Sequence, residues 1–402
     1  MKLNQWTVGL AAAGVVSLGS VMQAEEASHQ VLTALSSTTL SGYVDTSAIW
    51  KFGSGNAPLP GRSFDGPGKQ DGFNLNVVKL SVSKDLDEGE WSAGYKVDLL
   101  FGPDATGYNA SAGSAGTSDF GVKQAYVAVR APVGNGIDFK MGTFDSIIGY
   151  EVFESGSNPN YSRSYAWGIE PTQHTGLLAS YRLSDSISMN AGVANTVNPG
   201  INARAVDGQG RGASESEKTY MASLVLTAPE SLGFLHGATL YAGVVDGFNS
   251  SVNPGVTARD TTSLYVGSTI PTPLEGLTLG LAYDYIGYSA QKALTSSAYA
   301  NAASVYLSYQ VTENLKWNNR VEYAWATDGL WYVRGEGADS DARNELLGVT
   351  STFDYSLWAN VISRLEFRWD SAMTGGMDPS SKPFGTMDKN AISLALNLIY
   401  KF

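Results

Sequence analysis

The feature that most constrains this chain is a rhythm of short period-2 segments whose connectors are short and long by turns. The segments lie near residues 40–51, 73–84, 91–101, 120–130, 137–145, 173–183, 186–196, 218–228, 238–248, 261–270, 277–288, 300–311, 315–326, 345–355, 359–370 and 391–402. Connectors 85–90, 131–136, 184–185, 229–237, 271–276, 312–314 and 356–358 are short. Those at 52–72, 102–119, 146–172, 197–217, 249–260, 289–299, 327–344 and 371–390 are long. Successive side chains of a strand point to opposite faces, so each segment carries an apolar stripe and a polar one. Leu277, Leu279, Leu281, Tyr283 and Tyr285 alternate with Thr278, Gly280, Ala282 and Asp284, and Leu365, Phe367 and Trp369 alternate with Arg364, Glu366, Arg368 and Asp370. Lipid on one face and water on the other requires this pattern, and hydrocarbon tolerates no unpaired sheet edge, so the sheet must close. The expectation is an all-β fold: one transmembrane up-and-down antiparallel β-barrel of about sixteen strands, with turns at one end and loops at the other.

Composition agrees. Charged residues are 16% of the 402, while Gly (45), Tyr (21) and Trp (9) are plentiful. Past the N-terminus no apolar run of about eighteen residues exists, which excludes a helical membrane protein. Without cysteine, neither a disulfide framework nor a thiolate metal site can form. The net charge of −12 argues against a nucleic-acid partner, which wants a basic face. Lys2, the apolar run 8–22 and Gln23-Ala24 before Glu25-Glu26 read as a secretory signal peptide cut after Ala24. The expected organisation is therefore 1–24 signal, 25–37 periplasmic lead-in and 38–402 barrel.

About sixteen strands enclose an aqueous channel, whereas eight are filled by their own side chains. The parity opposite the apolar stripe defines the pore lining: Lys79, Lys96, Arg130, Lys140, Arg182, Lys316, Arg320, Arg364 and Arg368, with Asp98, Asp138, Asp284, Glu322, Glu366 and Asp370. This set is mixed and slightly basic, which predicts weak ion selectivity. The excess acid sits in the long loops, at Asp65, Asp71, Asp207, Glu215, Glu336, Asp339, Asp341 and Asp378 among others. If the last strand pairs with the first, Arg320, Arg364 and Arg368 share a wall with Lys79 and Lys96. The longest connector, 146–172, carries Glu151, Glu154, Arg163 and Glu170. Folded inward, it would face that basic wall and form a constriction with a transverse field.

Particular words lie in and around that connector: Gly142-Thr143-Phe144, Gly149-Tyr150-Glu151, Asn158-Pro159-Asn160-Tyr161-Ser162-Arg163-Ser164, Glu170-Pro171 and His174-Thr175-Gly176. With them the chain resembles the beta-barrel porin-2, OmpL-like family. The last segment, AISLALNLIYKF, likewise resembles the closing strand of bacterial outer-membrane proteins, whose terminal Phe is read by the insertion machinery. The resemblance implies an outer-membrane porin for small hydrophilic solutes or ions, embedded in outer-membrane lipid, with the solute left open. Oligomeric state is not read from the sequence, although trimers are common among sixteen-stranded porins and lipid-facing Ala191, Ala222 and Ala242 would permit the close contact of a homotrimer. No cofactor is expected.

Enzyme readings have little to stand on. A hydrolase needs a convergent Ser–His or Asp–His set, and the histidines are His29, His174 and His236. Only His174 adjoins the long connector, where a hydrogen-bonded anchor is the expected role. Asp339-Ser340-Asp341 with Glu345 hints at a cation loop but lacks the glycine of an EF-hand. The rivals to a porin are a plugged barrel that binds at the cell surface, an outer-membrane hydrolase and a secreted β-sandwich lectin.

Overall fold

The computed structural model describes residues 37–402 apart from 53–60, 66–68, 70, 109–118, 206–216, 250–258, 290–296, 328–329, 333–342, 375–383 and 385–388. The expected signal segment and His29 lie outside the described residues, as do Asp207, Glu215, Glu336, Asp339, Asp341 and Asp378.

The strands are β1 (Thr39–Phe52), β2 (Gly72–Lys84), β3 (Ser92–Phe101), β4 (Phe120–Ala131), β5 (Ile137–Asp145), β6 (Gln173–Ser184), β7 (Ile187–Ala194) and β8 (Thr219–Thr227). They continue as β9 (Thr239–Phe248), β10 (Asp260–Pro271), β11 (Leu277–Tyr288), β12 (Ala298–Gln310), β13 (Leu315–Thr327), β14 (Arg343–Trp358), β15 (Val361–Ala372) and β16 (Asn390–Lys401). Each pairs with its sequence neighbour, and β16 pairs with β1, closing the barrel. The seam runs from Phe52 opposite Ile392 to Tyr43 opposite Lys401. Beyond it, Gly42 and Phe402 exchange both main-chain hydrogen bonds (2.9 and 3.0 Å), so pairing reaches the last residue. Closure leaves no open sheet edge.

Two connectors differ from expectation. The turn between β14 and β15 falls at residues 359–360, not 356–358, because a register shift between Ser356 and Trp358 lets β14 run on. The 229–237 connector holds a short 3-10 helix, Glu230–Leu235.

The outward parity carries large exposed apolar side chains, among them Phe73, Met141, Leu281, Leu365, Leu396 and Tyr400. At the short-turn rim Trp317 stacks on Phe353 (6.0 Å between centroids), and at the long-loop rim Tyr323 packs on Trp325 (5.5 Å). These are interfacial girdles, apolar at one end and wet at the other.

Bulges in β2 and β4 re-aim polar side chains into the lumen. Asp45 and Thr46 of β1 oppose Val77 and Leu75, leaving Asn76 as the extra residue of β2; Asp98 and Leu99 of β3 oppose Gln124 and Val122, leaving Lys123 as the extra residue of β4. A bulge turns two consecutive side chains to one face. Asn76 with Val77, and Lys123 with Gln124, are accordingly all buried inside the barrel.

Candidate channel constriction

The connector 146–172 lies inside the barrel and is braced at its root. Ser146 N–H donates to the Thr172 carbonyl (3.1 Å), and the His174 ring bridges Ser146 Oγ and the Thr196 carbonyl (3.2 Å each). Within the loop, the Asn158 amide accepts from Val152 N–H (2.8 Å) and donates to the Val152 carbonyl (2.7 Å), closing a cross-brace. Arg163 donates to the Phe153 carbonyl, and its guanidinium lies 5.4 Å from the Phe64 ring and 5.5 Å from the Trp167 ring. These contacts account for the polar turn words of the sequence: Asn and Arg replace regular secondary structure as partners for loop backbone.

One side of the loop is clamped to a charged wall. Arg320 (β13) reaches Glu151 Oε1 at 2.8 Å and the Ser162 and Arg163 carbonyls at 2.7 and 3.1 Å. Arg368 (β15) donates to the Arg163 carbonyl (2.5 Å) and pairs with Asp370 (2.8 Å) and Glu322 (3.2 Å). Arg364 reaches the Ser155 carbonyl (2.8 Å), Ser155 Oγ (2.6 Å) and Asn397 of β16 (2.6 Å). The wall acids work in the other sense. Glu366 accepts from the backbone of Tyr161 (2.6 Å) and Ser162 (3.0 Å), Glu322 accepts from Tyr165 N–H (2.5 Å), and Asp370 accepts from Tyr165 Oη (2.6 Å). Further round, Glu154 is held by Lys79 of β2 and by Lys123 of β4, the latter at 3.4 Å. Burial works to raise the Glu154 carboxyl, but the Lys123 and Lys79 ammoniums outweigh it and hold it well below the usual carboxylate range.

The other side is apolar. Ile147 and Ile148 enter a cluster with Phe144, Leu178, Met221, Val225, Tyr241, Val245 and Tyr265, and Tyr150 stacks on Tyr306 at 4.2 Å. Inward glycines make the room: a Cβ at Gly243 would lie 2.5 Å from Ile148 Cγ2, and one at Gly280 2.0 Å from Tyr150 Oη. Glu170, at the loop's end, faces Asp284 of β11. Burial, then the carboxyls of Asp284 and Glu151, push Glu170 well above the usual range. Neither Asp284 carboxylate oxygen has a hydrogen-bond donor among the described residues. Spaces left against the loop measure only about 40 Å³ and about 30 Å³, little more than one water each.

The residues read as pore lining divide by burial. Lys79, Asp98, Asp284, Arg320, Glu322, Arg364, Glu366 and Arg368 are buried under the loop. Lys96 and Lys140 sit below it and are part-exposed. Glu151, Glu154, Arg163 and Glu170 all meet the wall or the loop itself. The arginines thus serve loop carbonyls and neighbouring acids instead of facing channel water. Alternation alone missed Lys123 and Asn76, since strict parity sends Lys123 toward lipid; the signal was two consecutive polar residues, Lys123-Gln124, inside a strand. Also unread were Lys51, Arg62 and Lys69. Lys51 pairs with Asp65, Arg62 with Asp370 (2.7 Å) and Lys69 with Asp104 (2.7 Å), tying segments of the first two long loops into the same packing.

A closed barrel of sixteen antiparallel strands, apolar outside, with a long connector folded into a charged lumen, defines an outer-membrane porin. The chain belongs to the family described as Putative beta-barrel porin-2, OmpL-like, whose model matches residues 37–402. No curated protein matches the sequence. Solved structures share the fold at low identity. The outer membrane channel DcaP of Acinetobacter baumannii is 12% identical, with 91% of this chain and 97% of that one covered and a TM-score of 0.57. An anion-selective porin from Comamonas acidovorans is 11% identical, with 91% and 99% covered and a TM-score of 0.57. Salmonella typhi OmpF, in complex with daunomycin, is 14% identical, with 91% and 97% covered and a TM-score of 0.55. The protein is accordingly an outer-membrane porin, a barrel for passive diffusion of small hydrophilic solutes.

Proposed function

We propose that connector 146–172 is the constriction of this channel and that its fit against the wall sets the size of solute that passes. The observation that carries this reading is the double anchorage of the loop, ionic on β13–β16 and β2, apolar on β8–β12. Transport needs no covalent step: the walls position water and solute, and no enzymatic activity is assigned. The pore-lining residues act in two ways, Lys96 and Lys140 on solute directly, the buried set through the loop they hold. Residues 1–24 serve as the secretory signal and 25–37 as the periplasmic lead-in to the 38–402 barrel. Outer-membrane lipid, the barrel-insertion machinery acting on the Phe402 end, and two further copies of the chain are the partners this reading supplies. The OmpT structure of Vibrio cholerae described as a trimer form supports the last.

The decisive experiment is reconstitution of folded protein in a planar bilayer. Stepwise conductance is expected, small in wild type and larger when the loop is unpinned. Its absence would sink the pore claim. The tight fit around the loop favours a second reading, a plugged barrel that acts at the cell surface through its long loops, and the same recording separates the two.

A further inference from the structure

Below the loop, at the short-turn end, the lining charges are no longer matched. Two cations there are spoken for: Arg130 pairs with Asp138 (2.6 Å) and Arg182 with Asp185 of the adjoining turn. Four inward lysines remain: Lys96 on β3, Lys140 on β5, Lys316 on β13 and Lys401 on β16. Lys140, Lys316 and Lys401 have no carboxylate within ion-pairing distance among the described residues. Lys96 has only a 3.7 Å approach to Asp98, whose nearer partner is Lys79 at 3.1 Å. On this wall Lys96 stands directly opposite Tyr126 of β4, and the Lys140 ammonium lies 4.9 Å from the Tyr126 ring centroid. Lys96 and Lys140 thus stand on strands separated by a single neighbour, with Tyr126 on the strand between them. The inward acid left to oppose the four lysines is Asp354, opposite Lys316. Acids on the turns, such as Asp87 and Glu230, face bulk water, where salt screens them.

We propose that this vestibule is a binding station for small oxyanions, carboxylate or phosphate, with Lys96 and Lys140 as its principal contacts. A low-dielectric cylinder focuses the field of its lining charges, and lysine rings select anions in narrow pores. The inference rests on the porin reading and names the solute class for it. It also moves the selectivity from the buried arginines to lysines that solute can reach.

The test uses the folded full-length protein in planar bilayers under a KCl gradient. The wild-type reversal potential should lie on the chloride side. Each of Lys96→Gln and Lys140→Gln should lower the chloride-to-potassium permeability ratio about threefold, the Boltzmann weight of one unit charge acting across several ångströms of water. Lys84→Gln, on the outward parity of β2, is the control and should leave the ratio unchanged. Inorganic phosphate added from the short-turn side should reduce chloride current in wild type and less in the double variant. A potassium-side reversal potential, or a double variant indistinguishable from wild type, overturns the proposal while leaving the porin intact. Failure of the porin reading would appear instead as no conductance at all. In that event calorimetric titration of phosphate into the detergent-folded protein decides the station alone: binding lost in the double variant supports it, and no binding rejects it.

Discussion

Arg320 on β13 donates to Glu151 of the inward loop across 2.8 Å, with the two side chains 0% and 1% exposed. Each is also saturated elsewhere. Glu151 accepts from Tyr306 Oη (3.1 Å) and Ser164 N–H (3.0 Å), while Arg320 reaches Glu322 (3.1 Å) and Thr350 (3.2 Å). A buried ion pair gains little over a well-packed apolar pair, but it permits one arrangement only. On the proposed reading its work is to fix where the loop lies, and so how wide the channel is.

Arg320→Gln should therefore act on both stability and conductance. Removing one partner of a buried pair leaves the other uncompensated, a loss of about 3–5 kcal/mol. Unfolding in lipid vesicles should show that destabilisation, and single-channel recordings should show larger, noisier steps as the loop leaves the wall. A variant with wild-type step size would mean the loop is held without this pair.

Gly280→Ala tests the apolar side. A methyl there would sit 2.0 Å from Tyr150 Oη, displacing the ring from Tyr306. Overpacking of this kind costs about 1–3 kcal/mol. Adding Tyr150→Ala should relieve the clash and keep conductance above wild type, because the anchor is gone. If the single change is neutral in both readouts, Tyr150 does not dock as described.

The two loop acids should answer pH with opposite sign. Glu154 has a lowered carboxyl, so its docking is complete above the ordinary carboxylate value of about 4.3 and is lost as pH falls through its own lower one. Glu170 has a raised carboxyl, so its docking is complete below the ordinary value and is lost as pH rises through the higher one. Conductance should pass through a minimum between these limits and climb on either side. Glu154→Gln should abolish the acid limb and Glu170→Gln the alkaline limb. A flat profile in wild type would refute the assignment.

How much of this was legible beforehand depends on range. Strand number, closure and the inward parity of Arg320, Arg364 and Arg368 follow from local alternation, which lipid and water enforce at every residue. Ile399 is the one large apolar residue on the wet face of the last strand. Its reason is long-range: it packs with Ile362 beneath the loop, where a Cβ at Gly156 would come within 3.1 Å of both. The bulges at Asn76 and Lys123 were visible only as a switch of polar parity within a strand. The burial of the arginines depends on where connector 146–172 lies; its inward fold is one reading of its charges, but no periodicity records it.

The two faces of β15 allow the barrel's orientation to be tested at adjacent positions. Leu365 is 41% exposed on the outer face, while Arg364 and Glu366 on either side of it are 2% exposed within. Arginine at a lipid-facing position near the midplane costs about 2–4 kcal/mol, falling toward zero at the rims. Leu365→Arg should therefore lower unfolding stability in vesicles by that amount and leave the reversal potential untouched. Arg364→Leu, one residue away, removes the partners of Ser155 and Asn397 and should change conductance as well. Should Leu365→Arg prove neutral in lipid, the outward face of β15 would have to be reassigned, and with it the parity of the whole charged wall.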